Sequence, residues 1–233
     1  MSDTDELNEL NEHIKEVNKS YKRMNICLKL LNENALKDSL AVKQVTKLDG
    51  NCIFQSICDL GYSDSPTQLR NSVALMLYKY RNYKGYFKSQ PSMTPKELFD
   101  AFPQDAKPRK VINNGTFKIV DYTYKIMCRD LSFEGSWERI WVEFVFMTLS
   151  LMFDIQIKIY QDEVKTPRTY EVDPNKTYKN IANIGFIGKC HYVPLTHIDK
   201  TGYNKKELPL YKLKPLKIRV KKEDNDSAKV ITI

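Results

Sequence analysis

The chain has 233 residues, 42% of them hydrophobic, 28% charged and 11% aromatic, which supports one large globular domain with appendages and excludes wholesale disorder. Its net charge of +8 is concentrated, since residues 200–222 hold nine Lys or Arg against Glu207 alone. A basic tail attracts nucleic acid or anionic membrane, but nothing here resembles a zinc finger, an RNA-binding aromatic motif or a P-loop, so no nucleic acid is required as a partner.

Apolar or aromatic residues fall at Leu7, Leu10, Ile14, Val17, Tyr21, Met24, Leu28 and Leu31, the three-four spacing of one helical seam. Two uses of such a helix stay open: a coiled-coil or self-association surface, and a helix laid against its own domain. Asn32, Asn34 and Asp38 weaken it, and Val42 to Thr46 then approach the next motif as extended chain. From Cys52, the pattern Ile53, Ile57, Leu60 predicts a helix ended by Gly61. Ser65-Pro66-Thr67 starts another, with Leu69, Val73, Leu77 and Tyr80 as its buried stripe, and Thr94-Pro95-Lys96-Glu97 repeats the start signal.

The stretch 103–116, with two prolines, several lysines and Asn113-Asn114-Gly115, reads as a loop. Trp137 to Phe153 reads as a central buried helix, because its apolar positions exceed one stripe. Ile155, Ile157, Ile159 and Tyr160 predict a strand, and 184–188, 190–195 and Leu216, Ile218, Val220 are further strand candidates. Helices precede strands, so the expected class is α+β. The longest apolar stretch, Trp141 to Phe153, contains Glu143 and is too short to span a bilayer. Neither a basic leader nor an apolar targeting core opens the chain.

Five cysteines, 27, 52, 58, 128 and 190, form an odd set without CxxC pairs. That pattern argues against a disulfide framework or thiolate zinc site and for a reducing, cytoplasmic setting, with no metal or cofactor. Four of the five suit the role of small buried hydrophobes. Cys52 differs, because Asp49-Gly50-Asn51 spends three turn-forming residues to deliver it to a helix start. There the free amides and partial positive charge stabilise a thiolate and can also hold an oxyanion.

The segment Asp49-Gly50-Asn51-Cys52-Ile53-Phe54 resembles the nucleophile motif of the ovarian tumour (OTU) family of cysteine proteases, which are deubiquitinases. Gly188-Lys189-Cys190-His191-Tyr192 resembles that family's strand-borne histidine. Tyr124, Met127, Gly135, Trp137, Glu143 and the run to Ile157 resemble, more weakly, its central helix and following strand. Together these matches span residues 45–195.

The resemblance implies an OTU-like fold, a small central β-sheet flanked by helices. Residues 41–200 would carry the catalysis, 1–40 would be an added amphipathic helix, and 201–233 a basic segment. It implies Cys52 as nucleophile, His191 as base, and the loop Gly50, Asn51 and Cys52 as oxyanion donors. Among the other histidines, His13 lies outside the matched region. His197, followed by Asp199 at the same-face position, competes, but Pro194 is expected to end the strand before it.

Many members place Asn or Asp two residues after the histidine to fix its tautomer, and here that residue is Val193. Asp49 is the first choice for the vacant role, with turn-capping as its structural alternative; Asn180, Asn183 and Asp199 are the remaining candidates. Tyr192 is expected to line the channel for the substrate's tail and Trp137 to sit in the core.

The implied partners are ubiquitin and polyubiquitin chains, and the implied reaction is thiol-dependent hydrolysis of isopeptide bonds at ubiquitin's C-terminus, with ubiquitin-like modifiers as further substrates. The alternative is a ubiquitin-binding module whose catalysis has decayed. A compact OTU domain with a Lys, Asn and Ile bias would also suit a virus acting on host ubiquitin signalling.

Overall fold

The computed structural model describes residues 3–102, 110–113, 116–119, 122–133, 141–171, 173–198, 208–212, 217–219 and 230–232. The described chain forms two compact units, Met1–Ile26 with Leu210–Ile233, and Cys27–Pro209. No helix among the described residues is long and apolar enough to cross a membrane.

Helix α1, Asp3–Leu36, runs through the unit boundary. In the first unit Tyr21 packs on Tyr211 with ring centroids 5.8 Å apart. Asn25 donates to the Tyr211 carbonyl and accepts from its amide. Strands β8, Lys217–Arg219, and β9, Val230–Thr232, pair antiparallel in the same unit.

The larger unit is α+β. Its sheet comprises β1 (Leu40–Val42), β4 (Ile155–Gln161), β5 (Arg168–Tyr170), β6 (Asn180–Ile187) and β7 (His191–His197), in the order β1-β7-β6-β4-β5. Only the β4–β6 pair is parallel. One sheet face, carrying Ile155, Ile157, Ile159, Ala182 and Ile184, joins a core cluster with helices α2 (Cys52–Asp59), α3 (Pro66–Lys79), α4 (Pro95–Ala101), α5 (Tyr124–Leu131) and α6 (Val142–Phe153).

Alternation along β6 turns Gly185 to the opposite face. There the C-terminal part of α1 lies on the sheet so closely that a Cβ built at Gly185 would stand 2.2 Å from Leu31 Cδ2. Leu28, Leu31 and Ala35 are fully buried. The two asparagines expected to weaken this helix instead fasten it: Asn32 Oδ1 accepts from the Val42 amide, and Asn34 Nδ2 donates to the carbonyls of Gln161 and Asp162. From Cys27 onward, α1 is thus a helix laid against its own domain.

The start signals act as their chemistry requires. Ser65 caps α3 by accepting from Gln68 N, and Thr94 with Glu97 closes a reciprocal capping box on α4. Two expectations are corrected. Part of 103–116 is not loop: β2, Lys110–Asn113, pairs antiparallel with β3, Thr116–Ile119.

Nor does Pro194 end its strand; β7 continues to His197. On the β1 side Pro194 meets Lys43, one residue beyond β1, where its carbonyl accepts from the Lys43 amide. The missing proline N–H therefore falls just past the end of that ladder, and the pairing with β6 is untouched. The central helix is described from Val142; Gly135 and Trp137 lie outside the described residues.

Candidate active site

Helix α2 begins at Cys52 itself, with Asn51 as N-cap. The first intrahelical bond runs from Gln55 N to Asn51 O, so the amides of Cys52, Ile53 and Phe54 have no partner within the helix. The Cys52 sulfur lies against its own amide and that of Ile53, and against the amide of Tyr192 on β7. Gly50 supplies the turn that allows this approach, with φ of +77°, a region costly for any residue with a Cβ.

His191 is the first residue of β7, delivered by the tight turn Ile187–Cys190, in which Gly188 and Lys189 both have positive φ. An amide–carboxylate bond, Gly188 N to Asp162 Oδ2, fastens that turn. The hairpin on β7 and the packing of α2 against β7 bring Cys52 against the amide of Tyr192, the residue that follows His191, from opposite ends of the matched sequence.

Both side chains are buried, Cys52 at 5% and His191 at 3% exposure. Burial dominates their electrostatics. It pushes the Cys52 thiol up to about 11 against the lowering effect of the three amides, and nearby Asp49 raises it further. Burial also holds His191 down to about 4, opposed by a hydrogen bond to the Thr46 carbonyl and by the Asp49 charge. The helix start alone suggested a stabilised thiolate. Desolvation outweighs that contribution, and burial favours the neutral thiol and the neutral imidazole.

Thr46 ends the extended segment after β1 and is 3% exposed. Its Oγ1 lies 2.7 Å from His191 Nε2 and donates to the Tyr192 carbonyl at 2.5 Å. Asp49 holds the turn: its Oδ1 accepts the Asn51 amide at 3.0 Å. The Asn51 N–H is thus bonded within the loop, and the amides at the start of α2 are the ones that face the sulfur.

The other side of this loop is clamped by Arg70 of α3, a residue with no exposed surface that sequence reasoning missed. Its Nε donates to Asn51 Oδ1, and its terminal nitrogens donate to the carbonyls of Gly50, Leu131 and Phe133. The guanidinium carbon stands 4.8 Å from the Phe54 ring centroid. Nothing marks Arg70 in the sequence except that a cation occupies an otherwise apolar helical stripe between Leu69 and Val73.

Val193 is fully buried and packs over Gly185 near Leu31, so the position two after His191 is taken by sheet–helix packing. His197 pairs with Leu40 and is exposed, about 20 Å along the strand from His191. His13 is exposed on α1. Register places Asn183 and Asn180 four and seven residues from Ile187, the partner of His191, about 13 and 23 Å away along β6. Asp199 lies outside the described residues.

Tyr192 stacks on Phe186 at 4.6 Å and meets Phe146 edge-on. That packing leaves it partly buried beside the cysteine. Among the described residues no three His, Cys, Asp or Glu side chains gather as a metal site would need.

No protein-family model matches the chain, and no curated protein matches it. Solved structures similar to it include three OTU domains. The OTU domain of OTUD1 is 11% identical, with a TM-score of 0.48 over 76% of this chain and 96% of that one. An ovarian tumour domain in complex with ubiquitin is 18% identical, with a TM-score of 0.44 over 67% and 69% of the two chains. An OTU deubiquitinase from Wolbachia pipientis bound to ubiquitin is 15% identical, with a TM-score of 0.40 over 69% and 97%.

Proposed function

We propose that this chain is a thiol-dependent deubiquitinase that hydrolyses isopeptide bonds at the C-terminus of ubiquitin, alone or within polyubiquitin chains. The observation that carries the reading is the placement of Cys52 at the unpaired amides of α2, against the strand that begins with His191. The OTU-like motifs around both residues name the substrate class. The unit Cys27–Pro209 carries the chemistry, with the segments before and after it as extensions.

The reaction is acyl transfer. His191 takes the thiol proton and Cys52 attacks the carbonyl of ubiquitin's terminal glycine. The amides at the start of α2 receive the oxyanion. Protonated His191 then gives its proton to the departing lysine amine, and water hydrolyses the thioester. Because burial favours the neutral pair, substrate binding has to favour the ion pair before attack. Asp49, whose charge raises His191, favours the imidazolium through space. Tyr192, next to the histidine and partly exposed, forms one wall of the approach.

A ubiquitin probe bearing a C-terminal electrophile tests the reading. The wild-type protein and Cys58→Ala are expected to form the covalent adduct and Cys52→Ala to form none. Binding of ubiquitin with no adduct on the wild type would assign the chain to ubiquitin recognition without catalysis.

A further inference from the structure

Val193 leaves unanswered what orients the base, and the hydrogen bonds of Thr46 answer it. A threonine hydroxyl has one proton and two lone pairs. The Tyr192 carbonyl has no proton, so the 2.5 Å contact requires Thr46 to donate. With that proton committed, the hydroxyl can only accept at 2.7 Å from His191 Nε2. Nitrogen Nε2 must therefore carry a hydrogen. Thr46 and His191 are each 3% exposed, so bulk water does not compete for the bond. The hydroxyl is anchored to the residue adjoining His191 on the same strand, and a β-branched side chain has few rotamers to leave by.

We propose that Thr46 is the positioning residue for His191: its hydroxyl, oriented by the Tyr192 carbonyl, fixes the Nε2–H tautomer and leaves Nδ1 as the nitrogen that accepts the Cys52 proton. The proposal rests on the assignment of Cys52 and His191 above. In the step it serves, the S–H bond breaks and an Nδ1–H bond forms, giving thiolate and imidazolium. The Nε2–H bond to Thr46 persists and strengthens as the ring becomes charged. The same Nδ1 proton later passes to the leaving amine. Thr46 sets the tautomer and Asp49 contributes charge, two duties that a single carboxylate beside the ring would combine.

Isotope-edited NMR of the ¹⁵N-labelled histidine ring in the full chain tests the tautomer without substrate. At neutral pH the wild type and Thr46→Ser are expected to show the Nε2–H pattern, and Thr46→Val a shift toward Nδ1–H. With ubiquitin conjugates, Thr46→Val should lower kcat by about 10- to 100-fold at unchanged KM. Thr46→Ser should stay within about threefold, since it keeps the hydroxyl. The acidic limb of the kcat/KM profile, set by protonation of His191, should move down by about half a unit in Thr46→Val, because the imidazolium loses the hydroxyl as an acceptor and keeps only the Thr46 carbonyl.

A wild-type ring in the Nδ1–H form overturns the proposal even if every variant fails to fold. So does a Thr46→Val variant that keeps the Nε2–H pattern and turns over within twofold of wild type. Should the wild type turn over no ubiquitin conjugate, the deubiquitinase reading falls, while the NMR result still decides what Thr46 does to the ring.

Discussion

Arg70 ties together the loop before Cys52, the end of α5 at Leu131, and Phe133 beyond it. A fork of five donors can hold several oxygens at fixed angles, whereas a lysine offers one point charge. Arg70→Met is expected to leave buried carbonyls unpaired and to cost about 3 kcal/mol or more, read by urea denaturation, with the rate of ubiquitin-probe labelling falling alongside. Arg70→Lys should recover little of either. A loss below about 1 kcal/mol would mean that water replaces the guanidinium.

His191 makes a second prediction at this scale. Its folded-state value, about 4, lies below the ordinary 6.5, so between these values the unfolded chain binds the proton and the folded one does not. The contribution is complete above pH 6.5 and is lost as pH falls toward 4. Across that window the wild type should lose about 2–3 kcal/mol more stability than His191→Asn, measured by denaturation at pH 4.5 and 7.

At the level of elements, the close approach of α1 to β6 is the most sharply testable contact. Leu31 has no exposed surface, so its Cδ2 cannot swing away from a methyl group added at Gly185. Gly185→Ala should cost about 1–3 kcal/mol. In the Leu31→Ala background, itself costing about 2–5 kcal/mol, the same change should be nearly neutral. A double-mutant cycle without coupling would show that the helix adjusts freely.

The same contact shows what the sequence could and could not disclose. Heptad spacing announced the helix and its apolar seam, but a seam is identical whether it meets another copy or its own sheet; Gly185, some 150 residues on, decides it for Leu28 to Ala35. Ser65-Pro66 and Thr94-Pro95 were legible because capping is local chemistry. Strands β2 and β3, four residues each, are too short for alternation to stand out among lysines and asparagines. The start of α2 at Cys52 and the strand carrying His191 were legible because turn residues and neighbours mark them. Thr46 and Arg70 were not, since their roles depend on oxygens brought close only by folding.

For the whole molecule, the division into two units predicts where the chain can be cut. The core cluster around the sheet draws its residues from Ile53 to Tyr192, and Leu28, Leu31 and Ala35 close the opposite face from within the same unit. A chain of residues 27–209 therefore keeps both faces covered. A chain of residues 37–209 strips three fully buried side chains together with the Asn32 and Asn34 bonds to β1 and β4. Each large apolar deletion of this kind costs about 2–5 kcal/mol, against a typical total of about 5–15 kcal/mol for a domain. The 27–209 chain should melt cooperatively and label with the ubiquitin probe at close to the full-length rate, and the 37–209 chain should do neither. Cooperative melting of 37–209 at the full-length temperature would show that α1 is dispensable to the sheet. Failure of 27–209 alone would show that the larger unit depends on Met1–Ile26 or Leu210–Ile233, segments whose own tie is Asn25 to Tyr211.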